Sequence, residues 1–191
     1  MLLFIFLSGR RKVSAFTFCA EAPAVHMTFR RLLATLCRRL WFRRLLARAF
    51  FRRIPHGRQL GFRIVAVEPD ALVAEMPYQE SVIGHPAAGF VHGGAVTALI
   101  DQTCGATASL AVTPPELVAT LDLRLDWLRP ATPGLPLRAR AECVSIKRQI
   151  IFVRCTAYHD SLDQPVAYAN ATFMRSGSLL QLPWRRKQPS V

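Results

Sequence analysis

Two features of this sequence could do chemistry together. Asp101 is the only charge in residues 94–112 (GAVTALIDQTCGATASLAV), a stretch otherwise apolar or small. A carboxylate buried there without a partner costs several kcal/mol. It is therefore paired with an arginine, held at an exposed edge, or kept as a general base or nucleophile lining a cleft. His92 stands nine positions earlier, in Val91-His92-Gly93-Gly94. Two glycines let a ligand approach the backbone closely. The free N–H groups of a helix's first turn, at the positive end of its dipole, form an anion site. An oxyanion made during acyl transfer needs such donors. A lone HGG is a weak signal, whereas HGG followed by an acid nine positions after the histidine, within one helix, is much stronger. Asp101 sits two turns into that helix and is expected to face a carbonyl held at Gly93.

These residues need elements to hold them. Residues 94–112 read as one helix of about five turns, roughly 27 Å at 1.5 Å per residue. It is apolar nearly all round and must be buried. Its small residues would let a sheet wrap closely around it. Phe62–Val67 and Ala71–Pro77 read as strands joined by the turn Glu68-Pro69-Asp70. A Gly/Pro-bearing loop, residues 84–89, leads toward the helix. Four strands follow it, Leu117–Trp127, Leu135–Ile146, Ile150–His159 and Val166–Met174, with short connections that favour an antiparallel meander. The expected class is α+β: an antiparallel sheet wrapped around one long central helix.

The 191 residues carry a formal charge of +13, which taken alone suggests nucleic acid or an anionic membrane as partner. The charge is not evenly spread. Residues 1–53 carry a net +11, residues 54–178 a net −1, and residues 179–191 a net +3. The chain therefore reads as a basic N-terminal extension (1–53), a domain (54–178) and a basic C-terminal tail (179–191). Met27 is a second possible start, and 1–26, unlike anything downstream, is a candidate for exclusion from the natural protein. Within 27–53, Phe29, Leu32, Leu33, Leu36 and Leu40 share a helical face, with Arg31 and Arg38 opposite. An amphipathic helix on an anionic membrane surface fits this run, as does a solvated extension packing weakly on the domain. A nucleic-acid arm ranks below both. The five cysteines (19, 37, 104, 143 and 155) show no metal-ligand spacing and suggest no disulfide framework. Neither a metal nor another cofactor is expected. Free thiols fit a reducing cytoplasm, and no segment reaches the roughly 18 to 20 apolar residues of a spanning helix.

The residues around the candidate site carry a family likeness. Tyr78-Gln-Glu, Ile83-Gly84-His85-Pro86, Gly89-Phe-Val-His92-Gly93-Gly94 and Leu99-Ile100-Asp101 resemble the hotdog-fold acyl-CoA thioesterases of the phenylacetate-degradation (PaaI-like) type. So does Ala119-Thr120-Leu121-Asp122-Leu-Arg-Leu-Asp126-Trp-Leu-Arg129-Pro130-Ala131. The resemblance covers about residues 58–176. It implies the hotdog fold and hydrolysis of acyl-CoA thioesters to free acid and coenzyme A. It places Asp101 as base or nucleophile, Gly93 as the backbone donor to the thioester carbonyl, and His92 as the motif histidine beside Gly94. Thr120 falls where relatives hold a small hydroxyl near the attacking water. Arg129, Lys147 and Arg148 are implied contacts for the coenzyme. His85 departs from the Asn or Asp common at its position and is carried as a catalytic-loop candidate. The resemblance also implies a homodimer or dimer of dimers with clefts between subunits, Thr120 being supplied across the interface. Two alternatives stay open: a non-catalytic acyl-CoA binder, and a basic membrane-surface or nucleic-acid-associated protein that uses the domain to dimerise.

Overall fold

The computed structural model describes residues 39–178. The chain begins there with α1 (Leu40–Arg53) and a short α2 (Pro55–Gln59), followed by the hairpin β1 (Arg63–Val67) and β2 (Ala71–Met76). A 3-10 turn (Glu80–Val82) and a small hairpin, β3 (Ile83–His85) and β4 (Phe90–Val91), lead into the long helix α3 (Gly93–Ala111). Four long strands complete the chain: β5 (Glu116–Trp127), β6 (Leu137–Lys147), β7 (Ile150–Tyr158) and β8 (Pro165–Ser178).

The main sheet is antiparallel throughout, in the order β1-β2-β6-β7-β8-β5, and its concave face wraps α3. Small residues on that face make the wrapping possible. Ala139, Ala157 and Ala167 lie side by side across β6, β7 and β8, as do Ala141, Cys155 and Ala169, and all six are buried. With little beyond Cβ in these rows, the sheet can approach the helix closely. The helix tolerates burial of its hydroxyls by turning them inward: Thr103 Oγ1 donates to the Leu99 carbonyl and Thr107 Oγ1 to the Thr103 carbonyl.

The expected four-strand meander holds for β6, β7 and β8 but not for β5. That strand crosses to the far side of β8 and becomes a sheet edge. The connection to β6, residues 128–136, has nine residues including Pro130, Pro133 and Pro136, too long for a tight hairpin. The basic segment also differs from its expected separateness. The helix α1 lays Ala47 and Phe51, one turn apart, in the common core and contacts β1 and α3. Its arginines Arg44, Arg48 and Arg52 stay exposed. Phe29, Leu32, Leu33 and Leu36 of the apolar stripe, residues 1–26 and the tail 179–191 lie outside the described residues. Among the described residues, no helix is long and apolar enough to cross a membrane.

Candidate active site

The start of α3 is built by its own cap. His92 precedes the helix with extended backbone, and its Nδ1 accepts the Gly94 N–H at 3.0 Å. The His92 N–H donates to the Val82 carbonyl at 2.8 Å, tying the cap to the 3-10 turn. The chain passes so close here that a Cβ on Gly84 would sit 2.8 Å from the His92 Cα. His92 is thus a structural cap, and the Gly94 N–H expected for substrate is already engaged. Gly93 is exposed at the helix tip, with the Trp127 ring beside it, 3.6 Å from where a Cβ would stand. His85 is turned into its own β3–β4 turn, its Nδ1 accepting the Ala88 N–H at 3.2 Å. It does not line the cavity around Asp101.

Asp101 is half-buried, and no basic side chain among the described residues pairs with it. Its Oδ1 accepts a hydrogen bond from Thr120 Oγ1 at 2.9 Å. Thr120 therefore joins Asp101 from β5 of the same chain, which corrects its expected supply across an interface. The β5 edge runs alongside α3, so the two residues meet without a second copy. Both line a cavity of about 210 Å³ with Gln102, His56, Phe50 and Ile54 among its other walls. A neighbouring thiol, Cys104, is buried and pushed well above its ordinary value by its hydrogen bond to Cys155, by burial and by the charge of Asp101. It stays protonated at neutral pH.

A second correction concerns Gly93 and Asp101. Eight residues of helix separate them by about 12 Å. A carbonyl hydrogen-bonded at one end cannot be reached from the other, so the two do not act on one carbonyl within one chain. The coenzyme contacts are dispersed as well. Arg129 follows the end of β5 and donates through Nε to the Pro165 carbonyl at 2.9 Å. Lys147 ends β6 and Arg148 begins the β6–β7 turn, where Arg175 donates to the Arg148 carbonyl at 2.9 Å. Because Arg175 is the register partner of Val118, the two basic sites lie near opposite ends of β5, roughly 30 Å apart at 3.4 Å per residue.

Two cavity residues were not singled out from sequence. Gln102 is buried, and its Nε2 finds no hydrogen-bond partner among the described residues. Gly57 of α2 faces it so closely that a Cβ there would stand 2.1 Å from Gln102 Oε1. A second polar side chain beside Asp101 in a buried helix was a signal available in the sequence. His56 had none, because only the packing of α2 on α3 brings it near. No group of three or more metal-ligating side chains clusters among the described residues.

Comparison with known proteins now places this arrangement. Residues 88–166 match the family model described as thioesterase superfamily. A Pseudomonas aeruginosa protein of known structure is 38% identical, with 70% of this chain and 98% of that one covered and a TM-score of 0.65. A Halobacterium salinarum protein provisionally named an esterase is 43% identical over 87 residues, 42% of this chain and 56% of its own length. The match thus spans little more than half of that relative. The Escherichia coli PaaI protein shares the fold at 18% identity, with 76% and 97% of the two chains covered and a TM-score of 0.63. The chain belongs to the thioesterase superfamily, and its sheet wrapped round α3 is a hotdog fold of the PaaI-like type.

Proposed function

We propose that this protein hydrolyses acyl-CoA thioesters as a homodimer in which Asp101 of one copy and the Gly93 N–H of the other act on the same carbonyl. The observation that carries the reading is Asp101 itself. It is a carboxylate without an ionic partner among the described residues, oriented by Thr120 in a cavity of a thioesterase-superfamily fold. As general base it takes a proton from water while the water oxygen adds to the thioester carbon. The Gly93 N–H receives the developing oxyanion. The C–S bond then breaks, and the coenzyme A thiolate leaves and is protonated. As nucleophile, Asp101 would instead form an anhydride that water opens.

The 12 Å gap supports a second copy, since two antiparallel α3 helices would set each Asp101 against the other's Gly93. The free edge of β5, with exposed Leu121 and Trp127, is a surface such a copy could cover. A panel of acyl-CoAs assayed by free-thiol release tests the activity, and light-scattering mass tests the assembly. A monomer with full turnover would overturn the shared site. Binding of acyl-CoA without turnover would point to a carrier instead.

A specific feature of α1 favours an accessory membrane contact. Trp41, Arg44, Leu45, Arg48 and Arg52 are exposed on one helical face, pairing cations with apolar side chains. Salt-sensitive sedimentation with anionic vesicles, absent with neutral ones, tests it, and retention on DNA instead would indicate a polyanion arm.

A further inference from the structure

We infer that the trough between α1 and α3 is the acyl-chain slot and that it selects linear aliphatic acyl groups of about eight to twelve carbons. This rests on the reading of Asp101 as the thioester-cleaving carboxylate. One face of α3 carries Asp101, Gln102, Gly105, Ala106, Ser109 and Leu110, spaced so that they form a continuous stripe. The first three line the cavity around the carboxylate, and the last three line a larger one of about 510 Å³ beyond it. The two cavities share Phe50 and Ile54 as walls, so they adjoin along α3.

The far chamber has the chemistry of a hydrocarbon slot. Leu46, Ala49 and Phe50 of α1 form one side, and Leu110 and Leu117 lie opposite. Ser109 lines it too, but its hydroxyl is already donated to the Glu116 carbonyl at 2.6 Å. The charged wall residue is Arg53, exposed at the end of α1. A polar acyl group would find few partners there, and an aliphatic one loses nothing by entering. Gly105 lies where the two cavities adjoin, and a Cβ there would meet the rings of Phe173 at 3.6 Å and Phe50 at 4.0 Å, so any side chain at this position would crowd the passage.

Length sets the class. Nine residues of helix from Asp101 to Leu110 span about 13.5 Å. An extended chain with bonds near 1.5 Å advances about 1.25 Å per carbon, so about eleven carbons reach the end of the slot. An aromatic acyl group is too short to use the far chamber.

The test is kcat/KM of the full-length protein on saturated acyl-CoAs of increasing length, with phenylacetyl-CoA for comparison. Specificity should climb about fourfold per methylene through the medium chains, as burial of CH2 groups dictates, then fall beyond about twelve carbons. Ala49 is exposed on α1, so Ala49→Trp should fold normally. It should lower the ratio of kcat/KM on decanoyl-CoA to that on butyryl-CoA at least about tenfold. A flat length profile, a preference for phenylacetyl-CoA, or an equal loss at every length in Ala49→Trp overturns the slot while leaving thioester hydrolysis intact. If no acyl-CoA is hydrolysed, the proposed function fails, and calorimetric titration with decanoate then decides the slot. Saturable binding lost in Ala49→Trp supports it, and absence of binding to the unaltered protein overturns it.

Discussion

Glu75 and Asp101 are carboxylates on opposite sides of one core, and they have opposite fates. Glu75 is buried in β2, and its neighbours in register on β1 and β6 are Arg63 and Arg138. Both guanidiniums bond to it, Arg138 Nε at 2.9 Å and Arg63 Nε at 3.0 Å. Burial alone would raise its carboxyl, but the bonds to Arg138 and Arg63 outweigh burial and hold it below the usual carboxylate range. Asp101 has no ionic partner among the described residues, accepts a hydrogen bond from the Thr120 hydroxyl and faces a cavity. Other sheet carboxylates resemble Glu75: Glu116 is met by Arg175, and Glu142 by Arg140 and Arg154. Antiparallel pairing places an acid opposite a base at fixed spacing and so neutralises it. A helix face turned toward a cavity offers no such neighbour.

The contrast can be broken most sharply at Asp101. Asp101→Asn should lower kcat on any accepted thioester by about a hundredfold or more, because a base or nucleophile is lost. Its thermal midpoint should move by less than about 2 °C, since no ion pair is removed. Near-normal turnover in steady-state assays would end the assignment. Glu75→Gln should do the reverse. Losing its charge-assisted bonds should cost about 2 kcal/mol in denaturant unfolding, with turnover per folded molecule unchanged.

Thr120→Ala should reduce kcat about five- to tenfold, the worth of one orienting hydrogen bond, with KM little changed. Acid titration sharpens the comparison further. Glu75, Glu116 and Glu142 all have folded values below the ordinary one. For Glu116 the largest cause is its bond to Arg175, and for Glu142 its bond to Arg154. A lowered folded value means stabilisation present above the unfolded value of about 4.3 and lost as pH falls through the folded values. Unfolding followed by circular dichroism should therefore steepen below about pH 4, and Glu75→Gln should flatten that slope. The smallest effect is expected at the coenzyme contacts. Lys147→Glu with Arg148→Glu, compared with Arg129→Glu, should raise KM by about threefold at the end of β5 that meets the coenzyme and not at the other.

Much of the fold was legible because local pattern decides it. The helix read at 94–112 is Gly93–Ala111, offset by one residue because His92 serves as the cap. The strand runs emerged within a few residues of their expected ends, since alternation and turn residues act over short range. Placement of β5 beyond β8 was not legible, because strand order depends on which edge a long connection reaches. The burial of Ala47 and Phe51 was hidden for a related reason. An arginine-rich run reads as solvated until a specific surface is offered to its few apolar residues.

By itself the sequence determined which groups could react, an isolated aspartate in a small-residue helix and an HGG start, and that the net positive charge sits at the chain ends. Residue type and helical spacing suffice for that. Only the tertiary structure decided that Thr120 of the same chain holds Asp101 and that α2 brings His56 and Gly57 up beside Asp101 and Gln102. It also decided that α1 walls the trough. These are distances between segments far apart in sequence, set by how a sheet of small side chains closes on a helix, and no local pattern encodes them.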